Sequence, residues 1–196
     1  MSRASGFRVF DTAIGSCGIA WDDRGQIVGT QLPQKDEDGT RACMRRRFPG
    51  VPETDPLPEV QDVMRRIRAL LEGHREALLD VPLDMTGVPA FHQRVYEITR
   101  AIPPGRTLTY GEVAARLGEP GAARAVGRAL GHNPFAPVVP CHRVLAAGTG
   151  AGGFSAEGGV ATKLRMLQIE KAQLGSEPGL FDQDVGAPCA RFNSPG

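Results

Sequence analysis

The stretch TLTYGEVAARLGEPGAARAVGRALGHNP, Thr107 to Pro134, constrains this chain more than any other. Thr109 and Glu112 have the T-x-x-E spacing of a capping box, which predicts a helix running to about Leu117. The GEPG that follows, Gly118 to Gly121, is a tight turn, and Ala122–Gly131 then reads as a second helix. Two short helices joined by a glycine-containing turn predict a helix-turn-helix.

The second helix has two unlike faces. On a wheel of about 100° per residue, Ala122, Ala125, Val126, Ala129 and Leu130 fill one arc, and Arg124, Gly127, Arg128 and Gly131 fill the opposite one. A glycine inside a helix costs roughly 0.5–1 kcal/mol against alanine. Two of them on an outward face return nothing in core packing. What they permit is close approach of another body, and the arginines beside them suit an anion. A face this bare fits a groove as narrow as the minor groove of B-DNA, about 6 Å wide. The competing reading is a tight helix pair with the glycines turned inward; the two arginines argue against it.

The rest of the chain is bounded by its composition. At 196 residues, 41% hydrophobic and 23% charged, it can bury a core in one or two domains. The start, MSRASGFRVFD, has no long apolar region, and no run approaches the length of a membrane helix. Neither secretion nor membrane insertion is expected. Cys17, Cys43, Cys141 and Cys189 form no CxxC, and His74, His92, His132 and His142 do not cluster with them. That argues against a zinc site and a disulfide framework, so no metal or cofactor is expected and the cytoplasm is the expected location. Net charge is +1 but uneven: residues 1–85 carry 12 basic and 14 acidic side chains, residues 86–171 carry 10 and 5, and residues 172–196 carry 1 and 3. The basic second half suits a polyanion, and ordinary surface variation accounts for it equally well.

Before residue 86 the pattern is α+β. FRVFDTAIGSCGIAWDDRGQIVGTQL reads as short strands with a turn at Asp22–Gly25. DEDGTRACMRRRF holds a short helix whose Arg45–Arg47 run is expected to be solvated. PEVQDVMRRIRALLEG places Val60, Val63, Met64, Ile67, Leu70 and Leu71 at helical spacing between Pro58 and Gly73. Asp80–Pro89 reads as a linker. Beyond it the pattern is mostly helical, with Phe91, Val95, Ile98 and Ile102 on one stripe. The expected division is 1–85, an α+β domain; 86–172, a domain carrying the helix-turn-helix and the chemistry; and 173–196, a flexible tail rich in Gly, Pro and Asp.

Chemistry concentrates in VVPCHRVLAAG, Val138 to Gly148. Alone, Cys141 reads as a small buried residue and His142 as a structural histidine. Together they are more specific, because a cysteine nucleophile needs a base or a positive field. In an extended segment the two side chains point apart, so a water or a turn at Pro140 must connect them. The histidine needs an orienting acceptor. GGVATKLRMLQIE reads as a helix with Val160, Leu164, Met166 and Leu167 on its apolar arc and Glu170 between Leu167 and Met166. Glu170 is either buried against His142 or Arg143, or at a frayed helix end facing water; both readings stand at this point.

From about Phe91 to Lys171 the sequence resembles the O6-alkylguanine-DNA alkyltransferases, the methylated-DNA–protein-cysteine methyltransferases. The resemblance is carried by TYGEVA (Thr109–Ala114), ARAVG (Ala123–Gly127), HNP (His132–Pro134), PCHRV (Pro140–Val144) and GGFS (Gly152–Ser155). It implies a ribonuclease H-like N-terminal domain, and a helix-turn-helix that enters the minor groove of double-stranded DNA holding O6-alkylguanine. It implies single-turnover transfer of the alkyl group to Cys141 by a monomer, with O4-alkylthymine as a further substrate to test. His142 would take the thiol proton through water, oriented by Glu170. Arg124 would fill the stack left by the flipped base, and Tyr110 would press on the phosphate and touch the base. Arg128, Gly127 and Gly131 would line the groove. Asn133 would be a hinge between the recognition helix and the active-site strand, and Phe154, Ser155 and Val144 would hold the guanine. Ala156 and Glu157 lengthen the loop after Ser155, Phe154 stands where tyrosine is common, and Ala136 stands where some members carry proline. The rivals are a lesion sensor without transfer, which lacks the cysteine; a helix-turn-helix regulator, which has no use for PCHR; and a Cys–His–Glu hydrolase, which has no use for the Arg/Gly helix.

Overall fold

The computed structural model describes residues 4–148 and 153–172. The tail at 173–196, Cys189 and Gly152 of the GGFS motif lie outside the described residues. The fold is mixed α/β. Strands β1 (Gly6–Thr12), β2 (Gly15–Trp21) and β3 (Ile27–Gln31) form an antiparallel sheet in that order. Between β2 and β3, Asp22 accepts from the backbone N–H groups of Arg24 and Gln26, both at 2.9 Å, and Gly25 takes a left-handed φ of 76°. The DDRG turn therefore closes as its residues dictate.

Helix α1 (Glu37–Arg47) begins at Asp36, whose side chain accepts from Gly39 N at 2.8 Å. The Arg45–Arg47 run is not a uniformly solvated face. Arg45 and Arg46 are exposed, but Arg47 turns inward. It donates to Thr30 O at 2.6 Å, to Gln31 Oε1 at 3.0 Å and to Pro134 O at 3.4 Å. Unpaired strand carbonyls at the edge of β3 draw it in. Helix α2 (Pro58–Leu71) starts on its proline and buries all six residues of its apolar stripe. The Asp80–Pro89 stretch is packed: Ile27 N donates to Pro82 O at 2.9 Å, Asp84 N donates to Ile27 O at 2.9 Å, and Val81 is buried.

Helix α3 (Ala90–Arg100) buries Val95, Tyr96 and Thr99, with Phe91 and Ile98 packed against the same core. Its face is wider than the predicted stripe, because the Tyr96 hydroxyl finds a buried acceptor in Ala129 O at 2.9 Å. The short strand β4 (Leu108–Thr109) leads into helix α4 (Tyr110–Arg116). The capping box is formed: Thr109 Oγ1 accepts from Glu112 N at 3.1 Å and Glu112 Oε2 accepts from Thr109 N at 2.6 Å. After the turn, helix α5 (Ala123–Gly131) packs on α3 and α4 through Val126, Ala129 and Leu130. Residues 141–143 are one turn of 3₁₀ helix, followed by strand β5 (Val144–Leu145), which pairs parallel with β4. Helix α6 (Val160–Ile169) closes the described chain.

One continuous buried cluster joins β2 (Ile19, Trp21) and α2 (Ile67) to α3 (Val95), α5 (Val126) and α6 (Met166). Each fully buried aliphatic side chain contributes about 1.5–3 kcal/mol relative to exposure. The three-stranded sheet is thus sealed onto the helices around Cys141. Thr30 reinforces that seal: its N–H donates to Pro134 O at 2.8 Å and its hydroxyl to Ala136 O at 2.6 Å.

Candidate active site

Cys141 opens a 3₁₀ turn, the second of the two alternatives left open for this segment. Pro140 sets the entry to the turn, and Arg143 N donates to Pro140 O at 2.9 Å. The turn separates three side chains. Cys141 is half-buried at a cavity, while His142 and Arg143 are 1% and 2% exposed and point into the protein.

Both then meet Glu170, just past the last turn of α6. His142 Nε2 lies 2.9 Å from Glu170 Oε1, and Arg143 donates through Nε at 3.0 Å to Oε2 and through Nη2 at 2.8 Å to Oε1. Gly105 N adds a bond at 3.3 Å. The carboxylate is therefore buried and paired, and the water-facing alternative falls. Arg143 is held in turn by Ile102 O at 2.6 Å. Burial alone would raise the Glu170 carboxyl; the bonds from His142 and Arg143 outweigh it and hold it at about 2. An ionised carboxylate only accepts, so Nε2 carries the imidazole hydrogen and Nδ1 carries the lone pair. Burial lowers the His142 pKa despite Glu170 and keeps the ring neutral. His142 Nδ1 is buried and has no hydrogen-bond partner among the described residues.

The Cys141 thiol is pushed up by burial and opposed by the Asn133 side chain and by Lys163. Asn133 also ties the approach to the turn, donating from Nδ2 to Val139 O at 2.8 Å and accepting from Phe135 N at 2.9 Å. Lys163 was not singled out in the sequence. It is fully buried, donates from Nζ to Val144 O at 2.7 Å, and lies 5.8 Å from the Tyr110 ring centroid. Burial lowers its pKa to about 8. The apolar arc assigned to α6 is corrected in part by the same observation: Met166 and Leu167 are buried as expected. Val160 and Leu164 are exposed, and the buried face is Lys163, Met166 and Leu167. The wheel ranked residues by polarity, whereas a lysine buries its long stem and brings its ammonium to the Val144 carbonyl, from where its charge acts on the thiol.

The cavity measures about 740 Å³. Cys141 lies in its wall with Tyr110 from α4, Gly127 from α5, and Phe154 and Ser155 from the following loop. Arg124 lines it too and is exposed. The Tyr110 ring lies close to Gly127, where a Cβ would stand 3.8 Å from it. Burial raises the Tyr110 phenol, followed by the effect of Cys141. Arg128 and Gly131 are exposed on the same outward face as Arg124, and nothing lies within 4 Å of where a Gly131 Cβ would be. Val144 is buried, with its carbonyl on Lys163. Cys17 is buried in the sheet, and burial pushes its thiol to about 12. Among the described residues no group of three or more His, Cys, Asp or Glu could hold a metal, and no helix is long and apolar enough to cross a membrane.

Residues 90–172 match the model of the 6-O-methylguanine DNA methyltransferase DNA-binding domain. The crystal structure of the Mycobacterium tuberculosis O6-methylguanine methyltransferase superposes with a TM-score of 0.65 at 34% identity, covering 90% of this chain and 99% of that one. The chain belongs to the O6-methylguanine-DNA methyltransferase family. A second family structure, the M. tuberculosis OGT in complex with DNA, gives a TM-score of 0.68 at 34% identity over 85% of this chain and 92% of that one. The curated methylated-DNA–protein-cysteine methyltransferase of M. tuberculosis is 48% identical over 103 residues, 53% of this chain and 61% of the relative. The aligned part thus spans about three fifths of that relative's length.

Proposed function

We propose that the protein repairs DNA by moving a methyl or larger alkyl group from O6-alkylguanine in duplex DNA onto its own Cys141. The observation that carries this is the Glu170–His142 pair, whose buried Nδ1 has no hydrogen-bond partner among the described residues and belongs to the residue next to the half-buried Cys141. A buried imidazole lone pair takes a hydrogen bond from water. Through that water the Cys141 proton passes to Nδ1, while Glu170 steadies the imidazolium. The thiolate attacks the alkyl carbon, a C–S bond forms, and the C–O bond breaks with its electron pair going to O6. The guanine regains a ring proton, equal in number to the one drawn off the thiol. Lys163 and Asn133 favour the thiolate, and Arg143 keeps Glu170 ionised.

In the same reading α4 and α5 form a helix-turn-helix in a DNA-binding part spanning 86–172, and residues 1–85 are a ribonuclease H-like support. The outward face of α5 enters the minor groove, and the lesion must leave the stack to reach a thiol inside a cavity. Arg124 fills the gap, Tyr110 bears on the backbone and base, and Phe154, Ser155 and Val144 surround the guanine. The protein acts as a cytoplasmic monomer. Cys141 disfavours the lesion-sensor alternative. The test is incubation with an O6-methylguanine duplex followed by peptide mass mapping. One added methyl group on the peptide holding Cys141 supports the reading; a methyl group on Cys17, Cys43 or Cys189, or none, overturns it.

A further inference from the structure

Outside the cavity, two histidines meet at the far end of α5. His92 lies in the first turn of α3, and His132 directly follows α5; their rings are 6.1 Å apart and tilted by 34°. His132 is exposed, and its Nδ1 lies 2.8 Å from Arg128 O. A carbonyl only accepts, so Nδ1 carries the hydrogen and Nε2 is the nitrogen that takes up a second proton. His92 is half-buried, with the Phe91 and Tyr96 rings at 6.4 and 6.1 Å.

The charged groups around the pair are of one sign. From α5, Arg128 faces it and is exposed. From α3, Tyr96 spends its hydroxyl on Ala129 O, and Arg94 is occupied by Glu119 at 2.9 Å and Leu117 O at 2.7 Å. Burial lowers the His92 pKa, and His132 and Arg128 lower it further. No carboxylate among the described residues is a cause of that shift. Two imidazoles and a guanidinium gathered at one helix end repel one another once protonated, unless an anion joins them. A duplex whose minor groove receives α5 carries a row of phosphates along each groove edge, beside the ends of that helix.

We propose that His92 and His132, with Arg128, form a proton-linked clamp for a backbone phosphate at the rim of the groove, so that duplex binding takes up protons. This rests on the reading that α5 enters the minor groove. The sign follows from the negative charge of the phosphate. A phosphate raises the affinity of the imidazoles for protons, so DNA affinity grows as pH falls and declines as pH rises.

The probe is an unmodified duplex, which cannot be repaired, titrated at about pH 6 and about pH 8, either side of the ordinary histidine value of about 6.5. At matched ionic strength the wild-type protein is expected to bind about tenfold more tightly at the lower pH, and a salt series repeated at each pH is expected to give a slope steeper by about one phosphate contact at the lower pH. In His92→Gln/His132→Gln the ratio between the two conditions falls to near one and the slopes converge. His132→Gln alone, at an exposed position, is expected to remove about half of the effect and keeps the test open if the double variant does not fold. Duplex binding whose pH ratio survives in these variants overturns the clamp and leaves the groove reading intact. Failure of the wild type to bind duplex at either pH overturns both.

Discussion

At the scale of single residues, Glu170 is the point where structure and chemistry meet. Glu170→Gln removes the charge that compensates buried Arg143, and breaking a buried pair costs about 3 kcal/mol or more. Its effect has a pH signature. The Glu170 pKa is depressed to about 2, below the ordinary value of about 4.3, so its stabilisation is present above about 4.3 and lost as pH falls toward 2. Chemical denaturation across that window is expected to show the wild-type advantage over Glu170→Gln shrinking with acid. The transfer rate at neutral pH falls by about 10²-fold, since the His142 base is no longer steadied as its imidazolium. Lys163 acts in the same sense, but in an alkaline window and by easing a penalty. Its folded pKa of about 8 lies below the ordinary 10.4 or so, so the folded state binds fewer protons between those values and stability gains with rising pH. The wild-type stability minus that of Lys163→Met is expected to rise across the same window, and a flat difference would contradict a buried charged lysine. Cys141 and His142 were legible as an adjacent pair, whereas the partner of Glu170 was left open by the residues and only the resemblance named it. Arg143 was seen only as a neighbour, and Lys163 was invisible to a polarity wheel. Its burial depends on the Val144 carbonyl and the Tyr110 ring, which no local pattern brings together.

At the scale of elements, α4 and α5 were the most readable part of the chain. A capping box, a GEPG turn and a split helical wheel are local signals, and the structure carries each of them. The Cys141–Arg143 turn was not readable, because Pro140 permits either an extended path or a 3₁₀ turn and Glu170 selects between them from far along the chain. The outward face of α5 offers a test by substitution. Gly131→Ala meets nothing within 4 Å and is expected to stabilise the protein by up to about 1 kcal/mol while weakening duplex binding. Gly127 is the poorer site, because a longer side chain there meets Tyr110. Arg128→Ala is expected to weaken binding and lower the salt slope by about one. Arg124→Ala is expected to slow repair of duplex more than reaction with free O6-alkylguanine base, since only the duplex requires extrusion. Equal losses on both substrates would remove Arg124 from that role.

At the scale of the whole molecule, the sheet and the helices share one core, and β3 is fastened to the loop that delivers Cys141. Thr30→Val removes the bond to Ala136 O and is expected to lower stability by about 1 kcal/mol and to reduce transfer at an intact Cys141. This link was unreadable in the sequence: Thr30 and Ala136 are 106 residues apart, and Arg47 looked like one of three solvated arginines. The central claim is that the whole assembly works once. An acyl-thioester is hydrolysed because water adds to its carbonyl; an S-alkyl cysteine has no such carbon, and a thiolate is a poor leaving group from it. The decisive measurement is therefore stoichiometry, with a duplex carrying labelled O6-methylguanine in large excess over protein. The account predicts at most one methyl group per active molecule, held on Cys141, after which repair stops. Repaired DNA released beyond one equivalent, with the Cys141 thiol regenerated, would contradict it.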